Sequence, residues 1–221
     1  MTLPTVEHET AANPTHSIIW LHGLGADGHD FAPIVPELVD PAWPALRFVF
    51  PHAPVRPVTV NNGLPMRAWY DITAFDARAP QDEAGIRASI ASVEALIARE
   101  HDRGVSAGRI VLAGFSQGGA IALAAGLCHA QTLAGIVALS TYLPIAEVVA
   151  HERSAANAAT PIFQAHGSAD PVVVTQRGID SRDRLQAWGY TVDWHSYPMG
   201  HAVCAEEIAD LRRWLGARLA A

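Results

Sequence analysis

Ser116, Asp170 and His201 are the residue types of a nucleophile, an orienting acid and a general base. Ser116 is the centre of Gly114-Phe115-Ser116-Gln117-Gly118, a G-x-S-x-G stretch whose glycines let the chain turn sharply enough to leave a hydroxyl exposed between a strand and a helix. A serine hydroxyl is a weak nucleophile, so it needs a base, and the base needs a carboxylate to hold its tautomer. Asp170 lies in His166-Gly167-Ser168-Ala169-Asp170-Pro171 and His201 in Pro198-Met199-Gly200-His201, placed 54 and 31 residues further along the chain respectively, each room for about one β-α repeat. Taken singly, His201 reads as a solvent-facing histidine at a helix start and Asp170 as a loop cap before Pro171. Their joint position after successive strands favours acyl-transfer chemistry. The oxyanion of such a reaction needs two N–H donors, and Gln117 and Leu24 are the candidates: the first follows the nucleophile, the second sits in the glycine-loosened loop His22-Gly23-Leu24-Gly25. Trp69, Phe75, Tyr142, Leu143, Val172 and Val173 are candidates for the substrate-binding wall, with the Leu24 side chain.

The elements that must position these residues alternate. Short apolar runs over 17–21, 46–50, 109–113, 133–139, 161–165 and 191–197 read as strands. Helices are expected over 82–103, where Ile86, Ile90, Val93, Leu96 and Ile97 recur at spacings of three and four, and over 120–129, 176–188 and 202–219. This β-α rhythm predicts one α/β domain spanning 1–221, a mostly parallel sheet with helices on both faces, and ligands bound at the carboxyl ends of its strands. The stretches 53–82 and 140–160 break the rhythm and read as rims over the site.

Composition narrows the function classes. Half of the 221 residues are hydrophobic and 17% are charged, so a packed core is expected rather than disorder. A net charge of −7 with no basic cluster argues against nucleic acid as a partner. No apolar run approaches membrane-spanning length and no secretory start is evident, so a cytoplasmic protein without an integral membrane segment is expected. The two cysteines, Cys128 and Cys204, read as reduced thiols. A homodimer is left open. The eleven histidines invite a metal, but no ligand motif completes a set and none is expected. Gly23-Leu24-Gly25-Ala26-Asp27-Gly28 matches the dinucleotide pattern G-x-G-x-x-G and would imply an NAD-dependent dehydrogenase; the strand at 46–50 then ends in Pro51-His52 where a ribose-binding acid is required, so that reading is disfavoured.

Five stretches together resemble the signature segments of the phospholipase/carboxylesterase family, to which the acyl-protein thioesterases belong: 21–29, Met66-Arg67-Ala68-Trp69-Tyr70-Asp71, 114–119, 166–171 and 199–201. The resemblance spans about residues 14 to 217. It implies an α/β-hydrolase fold, hydrolysis of carboxylic esters or thioesters without a cofactor, Ser116 as nucleophile, His201 as base, Asp170 as its partner, and Leu24 and Gln117 as oxyanion donors. Family members commonly carry phenylalanine where this chain has Tyr70. The resulting expectation is a serine esterase acting on short to medium acyl esters or thioesters, with acyl-protein thioesterase or lysophospholipase as alternatives.

Overall fold

The computed structural model describes residues 2–74 and 79–219. Its first strand, β1 (Thr5–Glu9), lies antiparallel on β3 (Leu46–Pro51); the sheet then continues in parallel through β2 (His16–Leu21), β6 (Ile110–Phe115), β7 (Gly135–Leu139), β8 (Ile162–Gly167) and β9 (Val192–Tyr197). The remaining strands, β4 (Val55–Val58) and β5 (Leu64–Arg67), form a separate hairpin. It occupies part of the stretch expected to be an irregular rim.

Parallel strands covered on both faces are apolar throughout, and the alternation along β2 shows the two faces directly. Ile18 and Trp20 pack with Phe48, Phe50 and Val111 beneath the short helix α1 (Val35–Leu38) and the last helix, α6 (Ala205–Leu219), while Ile19 and Leu21 point the other way. There they meet α2 (Glu83–Asp102) and α3 (Gln117–Cys128). Further along the sheet, α4 (Ala146–Glu152) and α5 (Thr175–Ala187) cover Ile136, Ala138 and Ile162. The expected amphipathic helix is α2: Asp82 caps it by accepting from the Gly85 N–H at 2.9 Å, and the chain leaves it through Gly104 at φ +90°. The second expected rim is also more ordered than its sequence suggests, because α4 lies within it.

The dinucleotide reading fails on local geometry. No helix starts within or directly after Gly23–Gly28; helical turns begin only at Ala32, so the strand–glycine loop–helix unit that the dinucleotide pattern requires is not formed. Gly28 is small because the carbonyl oxygen of Phe50 would lie 2.4 Å from a Cβ there. Cys128 and Cys204 are both free and half-buried. Among the described residues, no helix is long and apolar enough to cross a membrane.

Candidate active site

Ser116 stands between the end of β6 and the start of α3 with φ 53° and ψ −121°, a backbone region that L-residues rarely occupy. The surroundings hold it there. Its N–H donates to Leu139 O at 2.8 Å, and its carbonyl accepts from the Thr141 hydroxyl at 2.6 Å. The flanking glycines are steric requirements: a Cβ on Gly114 would lie 2.4 Å from the Gly118 carbonyl carbon, and one on Gly118 would lie 2.3 Å from Leu21 O. Strand, turn and helix approach too closely for any side chain.

Asp170 and His201 arrive on adjacent loops after β8 and β9. These loops are laced together, Ser168 N–H to Tyr197 O at 2.8 Å and Ala169 N–H to Met199 O at 3.1 Å. Gly167 lets them touch, since a Cβ there would be 2.2 Å from Gly200 O. The outcome is a continuous relay: His201 Nδ1 lies 2.7 Å from Asp170 Oδ2, and His201 Nε2 lies 2.8 Å from Ser116 Oγ. Asp170 is buried, and its other oxygen accepts from the N–H groups of Val172 and Val173 at 2.8 and 2.9 Å. With the carboxylate taking the Nδ1 proton's hydrogen bond, the Nε2 lone pair faces the serine hydroxyl, which is what deprotonation of that hydroxyl requires.

Two further histidines, outside the expected set, shape the loops. His166 is fully buried, donates from Nε2 to Val173 O at 2.7 Å, and has the same nitrogen 3.5 Å from Asp170 Oδ2. His22 donates from Nδ1 to Gly23 O at 2.7 Å and accepts at Nε2 from the Ala53 N–H at 3.0 Å, which pins the loop bearing Leu24. Burial pushes the pKa of both rings down, which favours their neutral forms. Their signal in the sequence was the glycine following each one. Gln117, at the head of α3, ties down the 69–70 segment: its side chain accepts from Trp69 N–H at 2.8 Å and donates to Tyr70 O at 2.7 Å.

A cleft opens over Ser116, and Leu24, Gln117, Tyr142, Val172 and Val173 line it. Trp69 does not. It is fully buried, its indole N–H donating to His22 O at 2.9 Å, so it supports the Leu24 loop from behind. Leu143 is also displaced: it is buried and borders a neighbouring hollow with Ala146, Ser181 and Arg184, its N–H donating to Ser181 Oγ. Phe75 lies outside the described residues. The sequence reading missed Tyr70, Ile72 and Arg177, all of which line the cleft. Burial, then the nearby Tyr142, push the Tyr70 hydroxyl well above the usual tyrosine range.

Among the described residues, one cluster could hold a metal ion. Asp27, His29 and His52 each offer a ligand atom within 4.8 Å of the others, a proximity that their sequence spacing did not suggest. His52 Nδ1 already accepts from the Gly28 N–H at 3.1 Å, which leaves its other nitrogen protonated in the neutral ring. The set is therefore poorly prepared for coordination.

A family model described as Phospholipase/Carboxylesterase matches residues 3–218. Acyl-protein thioesterase 1 of Neurospora crassa is 44% identical over 224 residues, covering 94% of this chain and 89% of the relative. The protein of the same name from Yarrowia lipolytica is 41% identical and covers 96% of each chain. Among solved structures, Arabidopsis thaliana SOBER1 superposes with a TM-score of 0.88 at 32% identity, over 92% of this chain and 99% of that one. Zea mays acyl-protein thioesterase 2 gives 0.84 at 33% identity, over 97% and 99%.

Proposed function

The chain belongs to the phospholipase/carboxylesterase family of α/β-hydrolases, which makes it a serine hydrolase of esters or thioesters, and from that premise we propose that it hydrolyses short to medium acyl esters through Ser116, His201 and Asp170. One observation carries the reading: His201 bridges the Ser116 hydroxyl and the buried Asp170 carboxylate at 2.8 and 2.7 Å. Ser116 Oγ attacks the carbonyl carbon as His201 Nε2 takes its proton. The N–H groups of Leu24 and Gln117 receive the oxyanion, and His201 returns the proton to the departing alcohol or thiol. Water, deprotonated by the same nitrogen, then releases the acid and restores Ser116. Asp170 stays ionised throughout and stabilises the imidazolium. No cofactor takes part. The two unpaired thiols suit a reducing, cytoplasmic setting.

The apolar wall formed by Ile72, Val172 and Val173 suits an acyl chain, each methylene buried there contributing up to about 0.8 kcal/mol until the cleft is full. A second reading, a thioesterase acting on acylated proteins, is favoured by the names of the Neurospora and Yarrowia relatives. A p-nitrophenyl ester series of increasing acyl length, run beside an S-acylated peptide, separates the two. Ser116→Ala is expected to lower ester turnover by about 10⁶-fold and to abolish fluorophosphonate labelling, with the fold retained. A folded variant that keeps a tenth of the activity would refute the assignment.

A further inference from the structure

Arg177 borders the same cleft as Ser116, and its placement is electrostatically unusual. It sits in the first turn of α5, which contains no acidic residue, so its positive charge adds to the positive end of the helix instead of offsetting it. The guanidinium carbon lies over the Tyr142 ring, 3.5 Å from its centroid, and the Tyr142 hydroxyl is held in turn by the Tyr70 hydroxyl at 2.9 Å. A cation–π contact of this kind uses none of the guanidinium's N–H groups as conventional donors, so they remain available to an acceptor. Among the described residues, they donate to no acceptor and meet no carboxylate. Other arginines on α5 are paired: Arg182 with Asp183, Arg184 with Glu147. Asp71, an acid on the same cleft wall, spends its carboxylate on the Thr59 N–H and hydroxyl. A half-buried cation with no ion-pair partner among the described residues thus lines the cleft of a chain whose net charge is −7.

We propose that Arg177, held on Tyr142 and Tyr70, is an anion subsite of the cleft, and that the preferred substrates are esters bearing a carboxylate, either on the acyl chain or on the alcohol. The planar fork would take the carboxylate through two parallel N–H donors. This rests on the reading of Ser116 as the nucleophile at the other end of the substrate. It also gives the Tyr70 hydroxyl a purpose, since a phenylalanine there would leave Tyr142 without its hydrogen-bond partner.

The test pairs matched esters. On the acyl side, the mono-p-nitrophenyl ester of glutaric acid is compared with p-nitrophenyl valerate; on the alcohol side, m-carboxyphenyl valerate is compared with phenyl valerate. Each kcat/KM is divided by the rate of hydroxide-catalysed hydrolysis. The charged member is expected to be favoured by about tenfold or more in at least one pair, the size of one charge-assisted hydrogen bond. The preference should shrink with added salt, collapse toward unity in Arg177→Met and survive in part in Arg177→Lys. The pair that responds identifies which half of the substrate carries the charge. Ratios near one in both pairs, or a preference that Arg177→Met leaves in place, overturn the subsite. Binding of monophenyl glutarate, m-carboxyphenyl valerate and phenyl valerate to the Ser116→Ala variant, measured by calorimetry with and without Arg177→Met, decides the matter without turnover. Failure of wild-type protein to hydrolyse any ester would instead count against the proposed function.

Discussion

Asp170 shows how much one side chain contributes through geometry alone. One oxygen holds His201 Nδ1, and the other closes the loop by accepting from Val172 and Val173. Asp170→Asn leaves an oxygen for those two N–H groups, but its amide donates to Nδ1 and forces the proton onto Nε2, where the base must be free. The expected loss is about 10⁴ in kcat with KM little changed and the fold intact, read from steady-state kinetics beside circular dichroism. A comparable rise in KM instead would mean that Asp170 acts on substrate binding. The Gly114 and Gly118 positions behave differently, because there any side chain collides with backbone and the whole turn is lost.

At the scale of elements, α2 does more than cover the sheet. Its Glu100, three and four residues beyond Ile97 and Leu96, lies on the apolar face and is completely buried. There it accepts from Ser17 on β2 at 2.6 Å, Arg47 on β3 at 2.8 Å and Arg103 at 3.0 Å. Arg47 also reaches Glu9 on β1 at 2.9 Å, so a single buried carboxylate links the helix to three strands, including the antiparallel edge. Glu100→Ala would leave the buried Arg47 guanidinium with Glu9 as its one remaining carboxylate and the buried Ser17 hydroxyl without its acceptor, and the expected cost is about 3 kcal/mol in denaturant unfolding. A loss below about 1 kcal/mol would show that water solvates Arg47 in place of the acid.

For the whole molecule, stability should vary with pH through buried groups pulling in opposite directions. Glu207 on α6 is buried, neither of its carboxyl oxygens meets a hydrogen-bond partner among the described residues, and burial pushes its pKa from 4.5 up to about 8. Between those values the folded chain keeps a proton that the unfolded chain has lost, so stability falls as pH rises through the window. His22 and His166 act in the other sense: burial lowers their affinity for a proton, so stability falls as pH drops below the ordinary histidine value of 6.5. Glu207→Gln removes the first effect alone. Its melting temperature should match wild type near pH 5 and exceed it increasingly toward pH 8, by a stability difference on the order of a few kcal/mol. A constant offset across that range would show that Glu207 does not titrate there.

The sequence by itself determined what local chemistry determines. Apolar runs of five to seven residues and spacings of three and four produced the β-α order, and the G-x-S-x-G turn placed Ser116, because sterics around two glycines act within five residues. Asp170 and His201 were legible because each follows a strand, and in a parallel sheet such ends lie side by side. The antiparallel β1, the β4–β5 hairpin and α4 were not, since edge pairing and rim structure leave weak periodicity. Trp69 and Leu143 read as cleft wall, yet only tertiary structure decided that both are buried. Trp69 is drawn inward by partners 47 and 48 residues away, His22 and Gln117. The same holds for Arg177, unremarkable in the chain, whose position on Tyr142 and at the cleft exists only once α5 packs beside the loop that follows β7. Periodicity reports which face of an element is apolar, whereas contacts across dozens of residues depend on where the elements are finally stacked.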